Sequence, residues 1–130
     1  MKRGPIEVVA AVIRRGNRIL LASRPAGKPP AGWEFPGGKV EPGEALGAAL
    51  IRELDEELGV AVTPDRELET VRRENIVLHF IAAAMPENAT PTPRESQQVF
   101  WTELTPEPPE LLLPADREFW KHLADMHKKP

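Results

Sequence analysis

No cysteine occurs among the 130 residues of this chain, which excludes a disulfide framework and a thiolate zinc site but leaves the cellular compartment open. A basic excess is also missing: 17 Lys and Arg stand against 20 Asp and Glu, a formal net charge of −3. A protein that grips a nucleic-acid backbone needs a cationic face to displace counterions. No nucleic-acid partner is therefore expected, and a free anionic ligand carrying its own metal is the better match. No apolar stretch approaches the roughly 20 residues of a membrane span, so no membrane partner is expected either. Met1-Lys2-Arg3 followed by Val8-Val9-Ala10-Ala11-Val12-Ile13 imitates a secretory leader, but the run is short and Arg14-Arg15 closes it. The expected location is the cytoplasm. With 41% hydrophobic residues, residues 1–130 are expected to form one domain that buries its own core.

What the chain does have is punctuated strand and helix. Residues 5–13 are rich in Val and Ile, Arg15-Gly16-Asn17 signals a turn, and residues 18–22 read as a second strand, together a hairpin. A Pro- and Gly-rich loop runs from Arg24 to Gly32, ahead of Trp33-Glu34-Phe35 and Pro36-Gly37-Gly38. Two glycines there allow close backbone approaches that a Cβ would block. Glu41-Pro42-Gly43-Glu44 reads as a turn. A helix is predicted from about residue 45 to 58, ended by Gly59, with Leu46, Leu50, Leu54 and Leu58 as its buried stripe. Residues 68–72 and 76–84 read as strands, the second nearly all apolar and so central. Residues 85–98 read as a loop, 99–101 as a short strand, and 115–127 as a last helix. Trp101 and Trp120 are expected to pack in or beside the core, and His79 lies in an apolar strand.

The densest chemistry is in the predicted helix. Glu53, Glu56 and Glu57 stand at i, i+3 and i+4, so their carboxylates project from one face within two turns. Like charges this close repel, whereas grouped oxygen ligands suit Mg²⁺, with Mn²⁺ as the second option. A solvated acidic face is the ordinary meaning of clustered glutamate. Here the cluster belongs to a longer pattern: Gly38, five residues, Glu44, seven residues, then Arg52-Glu53-Leu54-Asp55-Glu56-Glu57-Leu58-Gly59-Val60.

That pattern resembles the Nudix box at every defining position, and Trp33-Glu34-Phe35-Pro36-Gly37-Gly38-Lys39-Val40 is similar to the MutT branch of the family. The resemblance runs from Val8 to Leu123. It implies an α/β fold, the Nudix fold with a mixed β-sheet sandwiched between helices (α/β/α), and Mg²⁺-dependent hydrolysis of a nucleoside triphosphate to monophosphate and pyrophosphate. Oxidised or modified nucleotides such as 8-oxo-dGTP are the expected substrates. Cytidine or 5-substituted pyrimidine triphosphates form the alternative, and a non-catalytic nucleotide sensor the more distant one. The oligomeric state is left at monomer or small homo-oligomer.

The resemblance also distributes roles. Glu53, Glu56 and Glu57 are the expected carboxylate ligands, with the Gly37 carbonyl as a further one. Glu53 is the first choice for the base acting on the attacking water, since a carboxylate beside a metal accepts that proton within hydrogen-bond reach; Glu95 is the alternative. Glu44 and Arg52 are expected on opposite sides of the Glu53 turn, with Arg52 holding a catalytic carboxylate by a forked hydrogen bond. Arg24 is expected to reach the substrate phosphates, assisted by Lys28. Glu34, Phe35 and Asp116 are expected to bind substrate, with Phe35 stacking on or packing against the base, although an aromatic in a strand is more often core. Asp116 occupies the place where MutT-type enzymes commonly carry a base-reading asparagine, and an ionised carboxylate only accepts hydrogen bonds where an amide also donates. It could read guanine N1 and N2 protons or a cytosine N4 amino group. As a second role it could cap the terminal helix.

Overall fold

The strand Ile6–Val12 (β1) sends Val9 and Ala11 to one side and Ala10 and Val12 to the other, the two-residue period of a strand. All four are buried, so β1 lies inside a layered structure with a core on each face. The computed structural model describes residues 4–24, 32–94 and 97–128. Val9 and Ala11 meet Leu50, Leu54 and Leu58 of the helix Leu46–Leu58 (α1). Ala10 and Val12 meet Phe119, Trp120 and Leu123 of the helix Pro114–Lys128 (α2).

Between these helices stand two sheets. β1 pairs in parallel with Ile76–Ala84 (β7) and antiparallel with Gly37–Lys39 (β5), while β7 pairs antiparallel with Thr63–Arg73 (β6), giving the order β5-β1-β7-β6. The second sheet is antiparallel around Arg18–Ser23 (β3), which pairs with Arg14–Arg15 (β2), Trp33–Glu34 (β4) and Val99–Glu103 (β8). The mixed sheet between helices is as expected, and β7 is interior to it as its apolar sequence predicted.

The hairpin requires correction. Arg15-Gly16-Asn17 does turn the chain, but the hairpin it closes joins β2 to β3, and β1 belongs to the other sheet. The fully buried Ile13 marks the switch, its carbonyl accepting from the Leu20 amide at 3.1 Å. A two-sided apolar strand gains more between β5 and β7, covered on both faces, than at the margin of a short ribbon. Trp120 is fully buried and its indole N–H donates to the Thr105 carbonyl at 2.8 Å, satisfying its polar edge. Trp101 is half-buried against the α1 side of the core.

His79, on the buried face of β7, stands between two carboxylates, with Nδ1 2.5 Å from Glu67 and Nε2 2.5 Å from Glu7. Both ring nitrogens donate only in the imidazolium. Burial pushes the His79 pKa down, but the bonds to Glu7 of β1 and Glu67 of β6 outweigh it and the net direction is up. A group with a raised folded pKa contributes stability that is complete below its unfolded value of about 6.5 and is lost as pH rises through the folded value. Denaturant titrations of the wild type and His79→Gln should therefore differ most near pH 6 and converge at higher pH. A gap that stays constant up to about pH 9 would contradict the charged clamp.

Candidate active site

Glu41 to Glu44 forms a tight turn in which the Glu44 amide donates to the Glu41 carbonyl at 3.0 Å and Gly43 takes φ 77°. Pro at the second position and Gly at the third are what a type II turn demands. The turn aims the Glu44 side chain at Arg52, one face along α1. Arg52 Nε and Nη2 fork onto the two Glu44 oxygens at 2.8 and 2.9 Å. Nη2 also donates to the Lys39 carbonyl at 2.9 Å, and Nη1 donates to Glu53 at 2.9 Å and Glu56 at 3.3 Å.

One guanidinium thus ties β5, the turn and two box carboxylates together. Glu44 and Arg52 are not on opposite sides of the helix turn, as the sequence reading had it, but in direct contact; the turn bends Glu44 back over the first turns of α1. The Arg52 hydrogen bonds hold the Glu44 carboxyl down at about 2 and push the Arg52 pKa up. Arg52 also answers the like-charge problem of the cluster.

The two glycines of β5 are needed for different reasons. Gly37 lies so close to β1 that a Cβ there would overlap the Val9 carbonyl, a backbone atom that cannot step aside. At Gly38 the space a Cβ would fill is taken by the carboxylate of Glu53. The Glu53 side chain is only 15% exposed and Glu56 is 53% exposed, with Glu57 half-buried. Glu53 is therefore held from two directions, Arg52 on Oε1 and the bare Cα of Gly38 beside Oε2.

Among the described residues no three carboxylates or imidazoles converge as a ready-made metal cage; Glu53 and Glu56 turn toward Arg52 instead. The donor set nevertheless fits a hard divalent cation. Glu44, Glu53, Glu56 and Glu57 share one helix face and its preceding turn, and Glu53 is seated in a cradle that only glycine leaves open. Oxygen donors in excess negative charge are what Mg²⁺ and Mn²⁺ prefer.

A second acidic site lies at the other end of the same segment. Asp116, 5% exposed in the first turn of α2, accepts from the Phe35 amide at 3.1 Å. Glu34 is 3.8 Å from Arg24. Burial raises the Asp116 carboxyl to about 7, against the pull of the Phe35 N–H and with further push from Glu34. Burial also raises Glu34, with Arg24 opposing it. A carboxyl raised this far can carry a proton near neutral pH, which brings within reach the donation to a guanine O6 that is open to Asp116 only when protonated.

Two other expectations are corrected here. The Phe35 ring is 2% exposed and packs edge-on against Phe80 and Phe119 at 5.6 and 5.4 Å, so it has no free face for a base and contributes its amide instead. Asp116 is not the N-cap of α2, because the helix begins two residues earlier, at Pro114, a residue suited to a first turn that lacks amide partners. Arg24, Glu34, Asp116 and the Phe35 amide are brought together. Glu44, Arg52, Glu53 and Glu56 form the other group, beside Gly37 and Gly38. Lys28 and Glu95 lie outside the described residues. No local signal in the sequence announces that the Asp116 carboxyl accepts from the Phe35 amide and feels the charge of Glu34, because these residues are far apart along the chain.

Residues 4–123 match the model of the NUDIX domain. The chain is 46% identical over 100 residues to the CTP pyrophosphohydrolase of Escherichia coli strain K12, covering 74% of each. It is 36% identical over 108 residues to an 8-oxo-dGTP diphosphatase of Haemophilus influenzae, covering 79% of each. Among solved structures, the solution structure of the E. coli ORF135 protein superposes with a TM-score of 0.76 at 39% identity, over 98% of this chain and 94% of that one.

Proposed function

Because the chain belongs to the NUDIX domain family and is a Nudix pyrophosphohydrolase, we propose that it hydrolyses a nucleoside triphosphate to the monophosphate and pyrophosphate with Mg²⁺, removing oxidised or otherwise modified nucleotides such as 8-oxo-dGTP. The observation that carries this reading is the seating of Glu53 between Arg52 and the bare Cα of Gly38. Glu53, Glu56 and Glu57 would hold the metal together with the Gly37 carbonyl. When bound, the cation offsets phosphate charge and lowers the pKa of water.

The chain's own residues do the rest. Glu53 accepts the proton of the attacking water. Arg52 keeps Glu53 oriented and, through Glu44 and the Lys39 carbonyl, fixes β5 against α1. Glu34 and Gly38 are four residues apart, at most about 14 Å of extended chain, so the acidic pair Glu34–Asp116 and the box can engage the two ends of one nucleotide. Arg24, beside Glu34, is the cation on the substrate side of that segment.

A second reading, hydrolysis of cytidine or 5-substituted pyrimidine triphosphates, is favoured by Asp116 and by the likeness to the E. coli CTP pyrophosphohydrolase. With Oδ1 accepting from the Phe35 amide, Oδ2 is the oxygen we assign to the base. Protonated, that oxygen donates; ionised, it accepts, as a cytosine N4 or guanine N1 or N2 proton requires. Pyrophosphate release from 8-oxo, canonical and 5-substituted triphosphates in Mg²⁺ tests both readings. No release from any of them would overturn both. The ratio of kcat/KM between guanine and cytosine substrates should change by about tenfold across pH 6 to 8.5, the scale of one mismatched hydrogen bond. Asp116→Asn should flatten that dependence and shift base preference more than overall rate. A uniform loss across bases would show that Asp116 only holds β4 to α2.

A further inference from the structure

Two stretches far from the box converge on the C-terminal end of its helix. The last carbonyls of a helix lack internal partners. In α1 the Leu58 carbonyl accepts from the Thr92 amide at 2.7 Å and the Glu57 carbonyl from the Arg94 amide at 3.0 Å. These donors belong to Pro91-Thr92-Pro93-Arg94. Proline has no amide hydrogen and a fixed φ, so alternation leaves this segment two N–H groups, and both are spent on the helix that carries Glu53, Glu56 and Glu57.

The head of the same segment is pinned from the opposite side. Arg15 Nη2 donates to the carbonyls of Pro86 at 2.9 Å and Ala89 at 2.7 Å, and its guanidinium lies 4.9 Å from the centre of the Trp101 ring. The turn it grips is closed by the Ala89 amide on the Pro86 carbonyl at 2.9 Å. Two proline-stiffened ends, one held by Arg15 and one by α1, make a strap with few conformations to lose.

We infer that the strap 86–94, pinned by Arg15, sets the position of the last turn of α1 and so tunes the affinity of the box carboxylates for divalent metal. Arg15 is a positioning residue in this scheme. It touches neither substrate nor metal and acts through Thr92, Arg94 and the backbone of Glu57. The inference rests on the metal-binding reading above.

The test uses Mn²⁺ alone, followed by electron paramagnetic resonance of the full chain without nucleotide, and amide exchange by NMR. Arg15→Met keeps the alkyl stem over Trp101 and removes the donors. It should weaken Mn²⁺ binding by about tenfold, the lower end for residues that support metal ligands from behind, and should speed exchange at Thr92 and Arg94 while Phe80 stays protected. Arg15→Lys, which restores a donor, should recover most of the affinity. Thr92→Pro, which deletes one amide with Arg15 intact, should weaken Mn²⁺ in the same way and covers the case in which Arg15→Met fails to fold. Unaltered Mn²⁺ affinity in Thr92→Pro, or in a folded Arg15→Met, overturns the inference alone. No Mn²⁺ binding by the wild type overturns the metal reading and the inference with it.

Discussion

Glu53→Gln should lower kcat by at least about a thousandfold, within the range of 10²–10⁴ for a lost general base, while the thermal midpoint stays within a few degrees of wild type. Glutamine keeps the shape and can still accept from Arg52, so the seat against Gly38 survives; the proton acceptor and the negative charge do not. Glu57→Gln should give a loss of similar order, because its carboxylate is asked to hold metal at a half-buried position. The defect in Glu57→Gln should ease at high Mg²⁺, since mass action compensates a weakened site, whereas that in Glu53→Gln should persist. Steady-state kinetics over a Mg²⁺ series separates the two. Near-normal turnover in either folded variant would refute its assigned role.

Gly38→Ala should also lower kcat strongly, though less than loss of the carboxylate, without touching any charge. A methyl group at this position occupies the space of the Glu53 carboxylate, and a side chain is easier to displace than β5, which is held to β1 in register Val9 to Gly38. Glu53 would swing away, and a displacement of about 1 Å at a reacting group costs on the order of 10²-fold. Gly37→Ala meets backbone instead, the Val9 carbonyl, so it should lower the thermal midpoint and the yield of folded protein before it alters kinetics. Measuring melting and kcat on both variants checks the distinction. A Gly38→Ala enzyme of normal rate would show that Glu53 has room to spare.

Much of this was legible in the sequence for physical reasons. Strand β7 announced its interior place by an almost unbroken apolar run, and α1 by leucines four apart with glycine after the last. The Nudix box was readable because its chemistry sits on one helix, where spacing fixes direction. What could not be read were contacts between distant segments. Phe35 could stack on a base, though an aromatic in a strand is more often core, and its burial against Phe80 and Phe119 decides for the core. Whether Asp116 is ionised was not legible, because its raised pKa depends on burial and on Glu34 across the fold. His79 between Glu7 and Glu67 needs three strands in register. The paired prolines at 91 and 93 were visible as a loop, but their use needed the end of α1 beside them.

The central claim is that the acidic face of α1 holds a divalent cation against a triphosphate. Its most direct test is a crystal structure with Mg²⁺ and a triphosphate analogue whose α–β bridge is a non-hydrolysable imido group. Mg²⁺ is expected on Glu53, Glu56 or Glu57 oxygens and on phosphate, with Glu44 still forked on Arg52. Nucleotide bound elsewhere, with no metal on any of those glutamates, would contradict it.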